Sequence, residues 1–116
     1  MQNCVFCKII SGSIPTKPVF ENEQVLAFPD INPKAPVHIL IIPKSHIITM
    51  DKVLPEHELV CSTMFQAVSE LWKLHLDKYS GFNIVCNNGR QAGQLIDHLH
   101  WHFIAGKNIY SSGFSL

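Results

Sequence analysis

Arginine is almost missing from this chain: Arg90 is the only one among 116 residues. The other basic residues are scattered lysines, and acidic and basic groups balance to a formal net charge of zero. A surface that follows nucleic-acid phosphates needs clustered Lys and Arg, so nucleic acid is not an expected partner. No apolar run approaches the roughly 20 residues needed to cross a bilayer, so no membrane association is expected. The start, Met1-Gln2-Asn3-Cys4, has neither a charged nor an apolar leader region, which makes the cytoplasm the expected location. Internal repeats, low-complexity tracts and Gly/Ser-rich linkers are also absent. Cysteine is sparse. In a reducing compartment Cys4 and Cys7 read as a metal clip, and Cys61 and Cys86 as small buried residues.

What is present is apolar material: 47% of the residues are hydrophobic and 16% charged. That suits one domain over residues 1–116 with one modest core, and low charge hints at surface hidden by self-association. Residues near 5–11 fit a short helix stopped by Gly12 and Pro15. Strands are expected at Val19–Glu21 and Gln24–Pro29, joined by a turn at Asn22-Glu23, and a loop over Asp30–Pro36. The β-branched run Val37–Ile42, between Pro36 and Pro43, reads as a buried strand. Val60, Met64, Val68, Leu71, Trp72 and Leu76 recur at helical spacing and predict a long helix over Pro55–Tyr79. Strands at Phe82–Asn87 and His98–Ala105 follow, separated by a glycine-containing loop at Asn88–Gln94. Strands before and after one long helix indicate an α+β fold with the helix on one face of an antiparallel sheet.

The informative segment is His98-Leu99-His100-Trp101-His102-Phe103-Ile104. Side chains alternate along a strand, so the three histidines share one face while Leu99, Trp101 and Phe103 share the other. The outer two Cα atoms of such a rail lie roughly 13 Å apart, too far for all three rings to converge on one ion. Separate jobs are expected instead. A neutral imidazole near pH 7 is a good nucleophile toward phosphorus, and a neighbouring ring can hold the proton for the leaving group. Attack would give a covalent phosphorus–histidine intermediate.

His-φ-His-φ-His-φ-φ, with φ apolar, resembles the signature of the histidine-triad superfamily. Similar segments run through nearly the whole chain: Phe6-Cys7-Lys8-Ile9-Ile10 with Ile14-Pro15, Leu26-Ala27-Phe28, Asp30-Ile31, Ala35-Pro36-Val37-His38, Ile42-Pro43-Lys44-Ser45-His46, Asn87-Asn88-Gly89 and Ala92-Gly93-Gln94. The pattern looks closest to the Hint branch of nucleoside phosphoramidases. That resemblance implies a five-stranded antiparallel sheet with one long and one short N-terminal helix, continued across a homodimer. It implies His100 as the nucleophile, His102 as the contact to phosphate and leaving group, His98 as the residue that orients His100, and His38 as a further contact.

By the same resemblance Asp30 binds ribose hydroxyls, Ile31 covers the base, and Asn87, Gly93 and Gln94 lie near the phosphate. Phe6 and Phe28 suit the walls of a base slot or the core equally. With few cations, a phosphate here would be held by neutral donors, and the backbone of the 87–94 loop is well placed to supply them. The expected ligand is a purine nucleotide such as AMP, with no organic cofactor. The expected reaction is hydrolysis of nucleoside 5′-phosphoramidates or acyl-nucleotides. Dinucleoside polyphosphate hydrolysis, a non-catalytic nucleotide-binding or adaptor role, and zinc-dependent hydrolysis remain as alternatives. Ile104-Ala105-Gly106-Lys107 speaks for the Hint branch over the polyphosphate hydrolases.

One departure stands out. Where Hint proteins usually place a serine after the Gly-Gln pair, this chain has Leu95. A lone Cys4-x-x-Cys7 is a weak metal signal needing two more ligands, for which His46 and His98 are the candidates. Some bacterial relatives hold zinc on such a set, so structural Zn²⁺ on Cys4, Cys7, His46 and His98 is expected.

Overall fold

A computed structural model describes residues 3–111 and 113–116. Met1 and Gln2, the first half of the start considered above, lie outside the described residues. The architecture is the expected α+β one, a five-stranded antiparallel sheet with one short and one long helix. The strands are β1 (Phe20–Glu21), β2 (Val25–Pro29), β3 (Val37–Pro43), β4 (Phe82–Val85) and β5 (Trp101–Ala105), in the order β1-β2-β3-β5-β4. The helices are α1 (Val5–Ile10) and α2 (Glu58–Lys73). Among the described residues no helix is long and apolar enough to cross a membrane.

The central strands β2 and β3 are buried at every position but Pro29, and apolar except at His38, because both faces of the sheet are covered. Alternation divides them. Val25, Ala27, Val37, Ile39 and Ile41 face α2, where Met64, Ala67 and Leu71 complete a core with Leu99, Trp101 and Phe103. Leu26, Phe28, Leu40 and Ile42 face the other way, under Phe6 of α1. Leu40 pairs with His102 in the register of β3 against β5, and His38 with Ile104. Every histidine of interest therefore lies on the α1 face, and the long helix backs the rail from behind.

Several elements are shorter than their sequence patterns. The first two strands begin one residue late, at Phe20 and Val25, and Asn22 Oδ1 accepts the N–H groups of Gln24 and Val25, holding Gln24 in the turn ahead of β2. Pro55–His57 forms a 3₁₀ turn in which His57 Nδ1 accepts the Leu54 N–H, and the α-helix starts only at Glu58. It ends at Lys73, where the N–H groups of Leu74 and His75 bond to Leu71 O and Trp72 O and tighten the last turn. Leu74 and Leu76 beyond it are exposed, so the apolar stripe has already run off the sheet.

The last strand begins at Trp101, not His98. The ladders of β5 end at Ile41↔Trp101 and Val85↔His102, which also stops β4 at Val85 rather than Asn87. Pro43, at the end of β3, has no N–H to extend the pairing. His98–His100 instead approach β5 as an extended lead, with the Leu99 N–H donating to Ile47 O at 2.6 Å. The alternation of faces survives all the same.

Candidate active site

His98, His100 and His102 are buried in a row, with exposures of 0%, 8% and 8%. Phe6 stands edge-on to His98 and His100, at centroid distances of 5.8 and 5.1 Å, and His100 and His102 are 5.1 Å apart. Their hydrogen-bond partners assign the proton on each ring. His100 Nδ1–H donates to His98 O at 2.7 Å, which leaves the lone pair on Nε2. His38 Nδ1 accepts the Lys34 N–H at 3.0 Å, so its own proton is on Nε2. That N–H is directed to His102 Nδ1 at 2.9 Å, with Asp30 Oδ2 at 3.4 Å. His102 must then carry its proton on Nε2. The rail offers an unprotonated nitrogen on His100 beside an N–H on His102, the pairing needed for a nucleophile and a proton donor.

Burial keeps these rings neutral. It lowers His100 in spite of the bond to His98 O. It lowers His102 to about 4, helped by His100 and His38, and lowers His38 against the pull of Asp30. Asp30, His38 and His102 lie close enough to hold a cation. However, the Lys34 N–H keeps the proton of neutral His38 on the Nε2 that would have to ligate.

A cavity of about 470 Å³ opens over this face, within the range of small-ligand pockets. Among the residues singled out from sequence, Phe6, Phe28, Asp30, Ile31, His38, Asn87, Gly93, His100 and His102 line it. Phe6 and Phe28 meet edge-to-face at 5.9 Å and make an apolar wall. Ile31 is 99% exposed at the rim, and Asp30 Oδ1 also accepts the Asn32 N–H at 2.9 Å.

His98 and Gln94 do not line this cavity. Gln94 is a brace: Oε1 accepts the Gly89 N–H at 2.7 Å, and Nε2 donates to Ile48 O and Ile96 O. Four of the loop's backbone donors, including those of Gly93 and Gln94, are spent internally. Gly93 N–H goes to Arg90 O, and those of Ala92 and Gln94 go to Gly89 O. The N–H groups of Gly93 and Gln94 are thus already engaged within the loop. Gly93 serves by its conformation, φ +94°, which a side chain would strain. Lining residues that sequence reasoning passed over include Lys34, Leu40 and Ile96. Only the pairing of Leu40 with His102 across β3 and β5 would have signalled one of them.

The four expected metal ligands do converge. Cys4 Sγ, Cys7 Sγ, His46 Nδ1 and His98 Nδ1 lie within 4.8 Å of one another. The separations are 3.1 Å for Cys7–His46, 3.4 Å for Cys4–His98 and 3.6 Å for Cys7–His98. A zinc tetrahedron with bonds of about 2.3 Å to sulfur and 2.0–2.1 Å to nitrogen has edges of roughly 3.3–3.8 Å. His98 Nε2–H donates to Pro43 O at 2.8 Å, which turns the Nδ1 lone pair toward the thiols. The residues fit a four-ligand zinc ion.

Comparison with known proteins gives one consistent picture. The HIT domain family model matches residues 11–109. A HIT-like protein of Methanocaldococcus jannaschii is 48% identical over 103 residues, which is 87% of this chain and 77% of that protein. An adenosine 5′-monophosphoramidase of Candida albicans is 40% identical over 112 residues, covering 91% of this chain and 72% of the relative. Among solved structures, a HIT family hydrolase from Legionella pneumophila superposes with a TM-score of 0.86 at 35% identity, over 97% of this chain and 100% of the other. A histidine triad nucleotide-binding protein from Candida albicans gives 0.83 at 36%, over 98% and 84%.

Proposed function

The chain belongs to the HIT domain family, and from that premise we propose that it is a nucleotide hydrolase releasing a nucleoside monophosphate from a 5′-phosphoramidate or acyl-nucleotide. The observation that carries this reading is the pairing of tautomers on the rail, His100 with a free Nε2 and His102 with an Nε2–H. The Candida relative, an adenosine 5′-monophosphoramidase, supports the choice of reaction.

In the first half of the reaction on a phosphoramidate, the His100 Nε2–phosphorus bond forms and the P–N bond breaks. The departing amine takes a proton held by His102. A bound phosphate anion favours the charged form of His102, against the burial that otherwise keeps it neutral. In the second half, water attacks phosphorus, its proton returns to His102, and the N–P bond to His100 breaks. In this reading Asp30 accepts from the ribose hydroxyls, Ile31 and the Phe6–Phe28 wall cover the base, and the Asn87 amide reaches the phosphate. His98 orients His100 through its carbonyl.

A zinc ion on Cys4, Cys7, His46 and His98 would be structural, since four protein ligands leave no open position. It would pin α1 to the catalytic strand, and no organic cofactor is needed. We assign the protein to the cytoplasm and to a homodimer. The reading is tested by AMP release from adenosine 5′-phosphoramidate. Wild-type turnover lost in His100→Ala, with AMP affinity largely kept, supports it. Equal turnover in the two proteins contradicts it.

A further inference from the structure

The segment after the Gly93-Gln94 pair carries a feature that the reaction above does not use. Leu95 is 76% exposed, yet its backbone is held from both sides. Arg90 Nη1 donates to Leu95 O at 2.7 Å, and the buried Gln94 amide ties the preceding residue to Ile48 O and Ile96 O. A large apolar side chain is thus presented to solvent from a braced loop, two residues from Gly93 and on the rim of the cavity that holds His100 and His102.

Across that rim lies a second depression of about 670 Å³. Three residues line both hollows: Val5, Leu95 and Ile96. All three are apolar, so the two hollows are joined over an apolar ridge. Beyond the ridge the second hollow is more polar, with Asn3, Cys4 and His46 beside the exposed pair Arg90–Asp97 at 3.1 Å, so the apolar surface is confined to the ridge itself.

We infer that Val5, Leu95 and Ile96 form a leaving-group subsite that selects substrates whose amine or acyl portion is apolar. The inference rests on the proposed reaction and adds its substrate class. With the phosphorus beside Asn87 and His100, a substituent that points away from the nucleotide meets Leu95 and lies on the ridge. An aromatic or aliphatic group buries apolar surface there, while a short ammonium-tipped one gives up water against Val5, Leu95 and Ile96, none of which can pair with it.

The test compares three adenosine 5′-phosphoramidates: unsubstituted, N-phenethyl and N-(2-aminoethyl). In the wild type, kcat/KM for the phenethyl compound should exceed that for the aminoethyl compound by about 10-fold or more, the scale on which apolar pockets discriminate. Leu95→Ser should collapse most of that ratio, and Leu95→Met should keep it. A wild-type ratio near one, or a ratio that Leu95→Ser leaves unchanged, overturns the subsite while the reaction class stands. Failure to turn over any of the three overturns the reaction class instead. The subsite is then decided by binding of the matching non-hydrolysable 5′-O-sulfamoyl pair. A phenethyl preference present in the wild type and lost in Leu95→Ser sustains it, and equal affinities end it.

Discussion

His38 decides what His102 can do. A backbone N–H from Lys34 fixes the proton of His38 on Nε2, and that proton in turn leaves His102 with an N–H for the cavity. Burial then holds His102 at about 4, below the ordinary histidine value near 6.5. As pH falls the unfolded chain takes this proton first, so the contribution to stability is complete above about pH 6.5 and is lost on the way down to about 4. A shift of that size corresponds to on the order of 3 kcal/mol. Denaturant unfolding at pH 7 and pH 4.5 should therefore show a larger loss for the wild type than for His102→Asn, in which carboxylate titration is shared but the ring is gone. Equal losses would contradict the assignment. The rail itself was legible in the sequence, because a period of two puts alternate residues on one face whatever the partners are. The donor states were not. They depend on Lys34, Pro43 and the His98 carbonyl, whose positions relative to the rings are set by loops and by strand register. Gln94 teaches the same lesson, since nothing local says that its amide is consumed by Gly89, Ile48 and Ile96.

At the scale of elements, α1 is only six residues long and is too short to persist by its own hydrogen bonds. Cys4 caps it by accepting the Cys7 N–H, and Phe6 between the two thiols packs on His98, His100 and Phe28. If zinc ties Cys4 and Cys7 to His46 and His98, the metal also holds the apolar Phe6–Phe28 wall of the cavity. The purified protein should then contain about one zinc per chain. Cys7→Ser should lower the metal content, and chelation should lower Tm and speed amide exchange across α1 before it affects β3. Full metal content in Cys7→Ser would rule out this ligand set. At the exit of β5, Gly106 has φ +86°, and a Cβ there would lie 2.8 Å from Tyr79 and 3.0 Å from Pro36. Gly106→Ala should cost about 1–3 kcal/mol in unfolding free energy, and a change within error would show that this corner relaxes freely. Periodicity foretold the core face of α2 through Val60, Met64 and Leu71. It overran the end of the helix because Leu76 keeps the spacing with no sheet left beneath it.

For the molecule as a whole, the sheet has two edges of different kinds. β1 has two residues, whereas β4 has four, among them the exposed Phe82 and Ile84. An open strand with apolar side chains is a template for a second chain, and β4 is the edge at which a homodimer would continue the sheet. Sedimentation or light scattering should give twice the 13.1 kDa chain mass, and Ile84→Lys should shift the population to monomer. A monomeric wild type would contradict the dimer. The composition of the chain, apolar and nearly neutral, suggests self-association but names no surface for it; the open edge at β4 comes from the strand order alone. The most direct test of the central claim is mass spectrometry of the intact chain, trapped during turnover of adenosine 5′-phosphoramidate and then mapped by peptide. The expected result is one adenylyl group on His100, transient in the wild type and missing from His100→Ala, which no longer turns over. An adduct mapped to another residue, or undiminished turnover by His100→Ala, would contradict a covalent route through His100.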